Sequence, residues 1–149
     1  MINKCVAFLF VYFSLVPIKA QQKQIIQDLK LTKSVSAVML YPDEAIMKQQ
    51  SFFVSLQCKR NEKDFDIVPV NYIDSTTLKW LQPNINKLKK TLYSVTSIDS
   101  LQINVVYLMA EDAEVKISFE NILSFYQKNT SSKYPCLETI TFLGFGPKH

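Results

Sequence analysis

Alternation of apolar and polar positions is the clearest order in this chain. From Ser51 to Lys59, Phe53, Ser55 and Gln57 alternate with Phe52, Val54, Leu56 and Cys58. Successive side chains on a strand point to opposite faces, so the pattern predicts a strand with one apolar and one mostly polar face, as in an antiparallel sheet with one wet side. Arg60-Asn61-Glu62-Lys63-Asp64 reads as a charged turn, and Phe65 to Ile73 as a second strand completing a hairpin. Pro69 suits a sheet edge, because it offers no N–H to a central ladder. Leu101 to Ala110 is apolar on both faces after Asn104, which predicts a central strand. Pro135 to Phe145 predicts a last strand. Ser34 to Tyr41 also reads as a strand, with Val35, Ala37, Met39 and Tyr41 on one face and Pro42-Asp43 ending it.

A second period runs between the strands. Leu78, Leu81, Ile85, Leu88 and Leu92 recur at spacings of three and four, one stripe along a helix, with Asp74 and Ser75 as candidate caps. The stripe keeps its phase across Pro83, which predicts a kinked but continuous helix. Asp43 is placed to cap a short helix over Glu44 to Gln49. Gln21 to Lys33, with Ile25, Ile26 and Leu29, fits a short lead-in helix or a loose N-terminal segment. Glu114 to Phe119 fits a short strand, and Phe119, Ile122, Leu123 and Tyr126 have helical spacing. These elements sum to an α+β domain: a single antiparallel sheet with one or two helices packed on one face.

The first twenty residues follow a different logic. Lys4 precedes an almost unbroken apolar run from Cys5 to Val16, and Pro17-Ile18-Lys19-Ala20 ends in a small residue. That layout predicts a secretory signal peptide over residues 1–20 and a single exported domain over 21–149, periplasmic or secreted. The run is short for a span, which takes about 20 apolar residues, so membrane association is expected only if the segment is retained as an anchor.

Charge adds little. The chain carries 17 basic and 13 acidic residues, and removal of Lys4 and Lys19 leaves 15 basic. This balance does not argue for nucleic acid or an anionic membrane. The local cluster Lys87, Lys89 and Lys90 fits the end of the predicted helix, where cations meet the helix dipole favourably. Cys58 and Cys136 remain after cleavage; an oxidising compartment permits a bridge between them, and two separate buried thiols are the alternative.

Missing residues exclude more. The only histidine is His149, at a chain end, which argues against a histidine-dependent triad or zinc site. The only glycines, Gly144 and Gly146, precede no helix, which argues against a phosphate-cradling loop. Glu111, Asp112 and Glu114 read as a solvated turn, since neighbours on a strand end point apart. No cofactor or metal is expected. Asn129-Thr130-Ser131 matches a glycosylation triplet, which matters only in a eukaryotic secretory route.

Tyr41-Pro42-Asp43-Glu44-Ala45 resembles the Tyr-Pro-x-x-Ala signature of the TonB C-terminal domain. The following order of short helix, strand, charged turn, strand, helix and strand is similar to that family from Tyr41 to about Ala110. The chain departs from it at Ser51 and Asn61 to Asp64, where the family usually has glycine, and it lacks a proline-rich spacer. The resemblance implies Tyr41, Pro42 and Ala45 as the family motif, and partner binding by strand addition to a sheet edge.

The functional expectation is a non-enzymatic interaction domain that binds a protein or peptide. The aromatic residues Phe52, Phe53, Tyr72, Tyr93 and Tyr107 mostly fill the core in this reading. The alternative is a small secreted enzyme or ligand-binding domain using carboxylate, Tyr and Lys groups. It requires a pocket that joins at least two of Asp66, Asp74, Asp99, Glu111 and Glu120.

Overall fold

The computed structural model describes residues 24–109 and 134–146. Its elements in chain order are β1 (Ile25–Ile26), α1 (Leu29–Val38), α2 (Asp43–Met47), β2 (Phe52–Arg60), β3 (Phe65–Pro69), α3 (Ser75–Val95), β4 (Ser100–Met109), β5 (Cys136–Leu137) and β6 (Ile140–Gly144). The described part of the signal-peptide and acidic-turn readings is nil: residues 1–20, Glu111, Asp112, the elements read over Glu114 to Tyr126, Glu120, the Asn129 triplet and His149 all lie outside it.

The six strands among the described residues form one mixed sheet in the order β1-β5-β4-β2-β3, with β6 also paired to β4. β2 is antiparallel to β3 and to β4, whereas β5 and β6 run parallel to β4, and β1 parallel to β5. The expectation of a single antiparallel sheet with one or two helices is therefore corrected to a mixed α+β sheet with three helices. The reason is local. A hairpin announces its antiparallel pairing by a short turn, but β4 and β5 are joined through 26 intervening residues, and nothing in either strand marks direction. Cys136 enters beside Gln102, near the end where β4 began, so the last strand must run with β4.

β4 earns its central place by burial on both faces. Leu101, Ile103, Val105, Tyr107 and Met109 join the apolar core, facing Val54, Leu56 and Cys58 of β2. Leu31 and Val35 of α1 and Leu81, Ile85, Leu88 and Leu92 of α3 pack into the same core. Burying each such aliphatic side chain contributes roughly 1.5–3 kcal/mol. The stripe read along α3 is thus the core stripe, and the helix runs unbroken through Pro83. Asp74 caps it: its carboxylate accepts hydrogen bonds from the Thr76 and Thr77 amides, both at 3.0 Å, and from the Thr77 hydroxyl. Lys87, Lys89 and Lys90 fall short of the last turn, which holds no basic residue, so the dipole reading of that cluster fails.

The segment from Ser34 to Tyr41 is not a strand. Helix α1 begins at Leu29, behind the Asp28 side chain, which accepts from the Leu31 amide at 2.9 Å. Leu31, Val35 and Met39 are the buried positions, and Ala37 is exposed. A four-residue period shares every second member with a two-residue one, so a short window cannot separate them. The lead-in segment likewise holds the short strand β1 as well as the start of the helix.

Four rings tie the helix-facing side of the sheet together. Phe52 and Tyr107 stack at 4.5 Å between centroids, Phe142 stacks on Tyr107 at 5.5 Å, and Tyr41 meets both Phe52 and Tyr107 edge-on. Tyr107 donates to the Met39 carbonyl at 2.9 Å, fixing the end of α1 over the sheet. Gly144 allows this closeness. A Cβ there would sit 2.7 Å from Met109 Sδ and 2.8 Å from Tyr41 Cε2.

At the far end of the hairpin, the Arg60 guanidinium lies 4.9 Å from the Phe65 ring and 4.8 Å from the Tyr93 ring, and donates to the Thr96 carbonyl. It clamps the end of α3 to β2. Its 4.0 Å approach to the exposed Asp99 adds little, because solvent screens such pairs. The turn closes without glycine: Asn61 Oδ1 accepts from the Lys63 and Asp64 amides at 2.9 and 2.8 Å.

Two stability tests follow from these contacts. Gly144→Ala should destabilise the fold by about 1–3 kcal/mol, since rigid ring and thioether atoms occupy the methyl's place; a denaturant titration against the parent measures it. The Thr77 hydroxyl and amide hold the Asp74 carboxyl below its ordinary range. Its contribution should be complete above the unfolded carboxylate range near pH ~4 and fade as pH drops through the lowered value. Melting curves of parent and Asp74→Ala should therefore differ at neutral pH and converge in strong acid.

Candidate functional site

The Tyr41-Pro42-x-x-Ala45 stretch forms a corner between α1 and α2. Tyr41 is buried and donates to the Gln50 carbonyl at 2.7 Å. Pro42 occupies the cap position of α2, and its carbonyl accepts from the Ala45 and Ile46 amides, both at 3.1 Å. Asp43, read as the cap, is instead the first helical residue, because the fixed φ of proline suits the turn into the helix. Ala45 is fully buried in the core. α2 ends through Gln49, whose φ of 52° is left-handed, a place usually held by glycine. The three motif residues are thus brought together, and each has an anchoring part in the fold.

Against this corner lies a groove of about 780 Å³, walled by the Tyr41–Glu44 turn on one side and by α3 from Ser75 to Asn84 on the other. Asn84 Nδ2 donates to the Leu40 carbonyl at 2.8 Å, fastening the two walls. Trp80 lines the groove and is half-buried, with Lys48 Nζ 5.2 Å from its ring centroid.

Cys58 and Cys136 are not joined. Cys58 faces the helices, opposite Leu101, whereas Cys136 pairs with Gln102 and points to the other side of the sheet. Of the two readings, separate buried thiols describe the structure. Burial pushes the Cys58 thiol up to about 12. Cys136 Sγ accepts from Asn104 Nδ2 at 3.0 Å and donates to the Leu137 carbonyl at 3.3 Å. It ends a polar network in which Gln102 Nε2 donates to Ser55 Oγ and Ser55 Oγ donates to Asn104 Oδ1, both at 2.7 Å. Ser55, Gln102 and Asn104 are buried. The face read as wet is therefore closed at its centre, and no alternation rule separates a buried serine or amide from an exposed one.

Asp66, Asp74 and Asp99 do not converge. Asp66 meets Asn61 in the hairpin, Asp74 caps α3, Asp99 stands exposed before β4, and none lines the groove. Among the described residues no group of three or more His, Cys, Asp or Glu is placed to hold a metal ion, and no helix is long and apolar enough to cross a membrane.

Three strands leave one side without a partner strand among the described residues: the two-residue β1, which pairs only with β5, and the longer β3 and β6. β3 ends the sheet next to β2, and β6 pairs only with β4. The longer two differ in protection. β3 carries Asp66 within it, Pro69 at its end and a charged turn before it, the devices that blunt an edge. β6 reads Ile140-Thr141-Phe142-Leu143-Gly144 without charge. Leu143 is 61% exposed and Phe145, two places on, 70%. The sequence marked the last strand but not its outer position, which only the pairing reveals.

No family model, curated protein or solved structure matches the chain.

Cys58 should resist alkylation at neutral pH in the folded protein and react fully once denatured, because burial keeps it protonated and out of reach. Mass spectrometry of the peptide carrying Cys58, after reagent treatment with and without denaturant, measures this.

Proposed function

We propose that this chain is an exported, non-enzymatic interaction domain that binds a protein or peptide by adding a partner strand to the outer edge of β6. The carrying observation is that edge itself: five uncharged residues paired on one side among the described residues, with Leu143 and Phe145 offered to solvent. An uncharged, exposed edge is a template for another strand, and proteins ordinarily disarm such edges. Main-chain bonds would supply affinity and the alternate side chains selectivity. The apolar leader over residues 1–20 supports export, and the resemblance of the Tyr41-Pro42-x-x-Ala45 region to TonB C-terminal domains supports strand addition as the mode.

Leu143→Lys tests the reading, since an edge lysine opposes strand addition while the exposed position tolerates it. Val68→Lys, at an exposed position of the edge strand β3, is the control. The parent and Val68→Lys should co-purify a stoichiometric partner from the exported fraction, and Leu143→Lys should not, with melting temperatures unchanged. Loss through Val68→Lys instead, or no stoichiometric partner for the parent, overturns the proposal.

A further inference from the structure

We propose that the groove between the α1–α2 corner and α3 is a binding site for a neutral glycan. It is separate from the β6 edge and does not depend on the reading of that edge. Its volume of about 780 Å³ lies in the ordinary range for small-ligand sites, about 300–1,000 Å³. The site is preformed: the Asn84 amide fastens α3 to the Leu40 carbonyl, and the Tyr41 hydroxyl anchors the corner to the Gln50 carbonyl. A ligand therefore meets walls already ordered, which lowers the cost of binding.

The chemistry of the walls selects the ligand class. Trp80 supplies the aromatic surface, an apolar body for the C–H face of a sugar ring. Around it stand the carboxylates of Asp43 and Glu44, the ammonium of Lys79 and the hydroxyls of Ser75 and Thr76. Neither carboxylate nor the ammonium is engaged in an ion pair among the described residues. Carboxylates only accept, an ammonium only donates, and hydroxyls do both. The two carboxylates are matched by two ammoniums, Lys79 and the Lys48 that lies over the Trp80 ring, so the site favours neither sign of net charge. Sugar hydroxyls donate and accept in turn, so a neutral polyhydroxyl ligand satisfies both kinds of wall at once.

Trp80 is the only tryptophan in the chain, so its emission reports this groove alone. The purified exported chain is titrated with chitotetraose and cellotetraose, and with tetralysine and tetraglutamate as charged controls. At least one neutral oligosaccharide should shift the emission saturably, with half-saturation below about 10 mM. Binding should weaken by about tenfold or more in Asp43→Asn/Glu44→Gln and in Lys79→Gln, both of which keep Trp80. The charged peptides should give no saturable shift. Absence of a shift with both oligosaccharides overturns the assignment, as does equal binding by the variants or a matching response to either charged peptide.

Discussion

Everything in this fold hangs on a strand with no wet side. β4 buries five residues into the helix-facing core, and on its other side it buries Gln102, Asn104 and Val106. The apolar side fixes which way the strand faces but says little about register, since Leu101, Ile103 and Val105 are near equivalents to a neighbour. The polar side supplies that information. Ser55, Gln102, Asn104 and the Cys136 thiol satisfy one another only in the observed alignment. A slip by two residues would leave buried donors and acceptors unmatched, at roughly 1–3 kcal/mol each. Asn71 extends the constraint beyond the end of β3, accepting from the Ser55 amide and donating to the Phe53 carbonyl.

The helical layer is aligned by a complementary device. Tyr107 rises from β4 into the stack with Phe52 and Phe142, and its hydroxyl reaches the last turn of α1. Burial raises the Tyr107 hydroxyl well above its ordinary range, with the neighbouring Tyr41 adding to the effect, so it stays a donor. Tyr41 then carries the same order into the corner that opens α2. One face is keyed by amides and a thiol, the other by rings, and the groove and the β3 and β6 edges inherit their geometry from that frame.

Much of this was legible in the residues. The β2–β3 hairpin, the five-leucine-and-isoleucine stripe of α3, the Asp74 cap and the centrality of β4 follow from periodicity and cap chemistry, because those signals are local. Three things were not legible. The four-residue spacing of Leu31, Val35 and Met39 hid inside an apparent alternation. The parallel direction of β5 and β6 depends on where a distant segment re-enters the sheet. The buried side of Ser55 and Gln102 depends on what lies over them. The groove was hidden for a related reason: Asp43 and Glu44 sit about 35 residues from Lys79 and Trp80, and only the α1–α2 corner brings them together.

The join between β5 and β6 is small but has a long reach. Cys136 pairs 34 residues after Gln102, whereas Ile140 pairs 35 after Val105, so one extra residue enters at Glu138-Thr139. That extra residue lets Cys136 face the amides and Ile140, Phe142 and Gly144 face the rings. A single-codon deletion at this step would leave every remaining amino acid chemically unaltered yet turn the terminal strand inside out. The length of this two-residue step, more than the identity of its residues, therefore decides which side of the terminal strand meets the core.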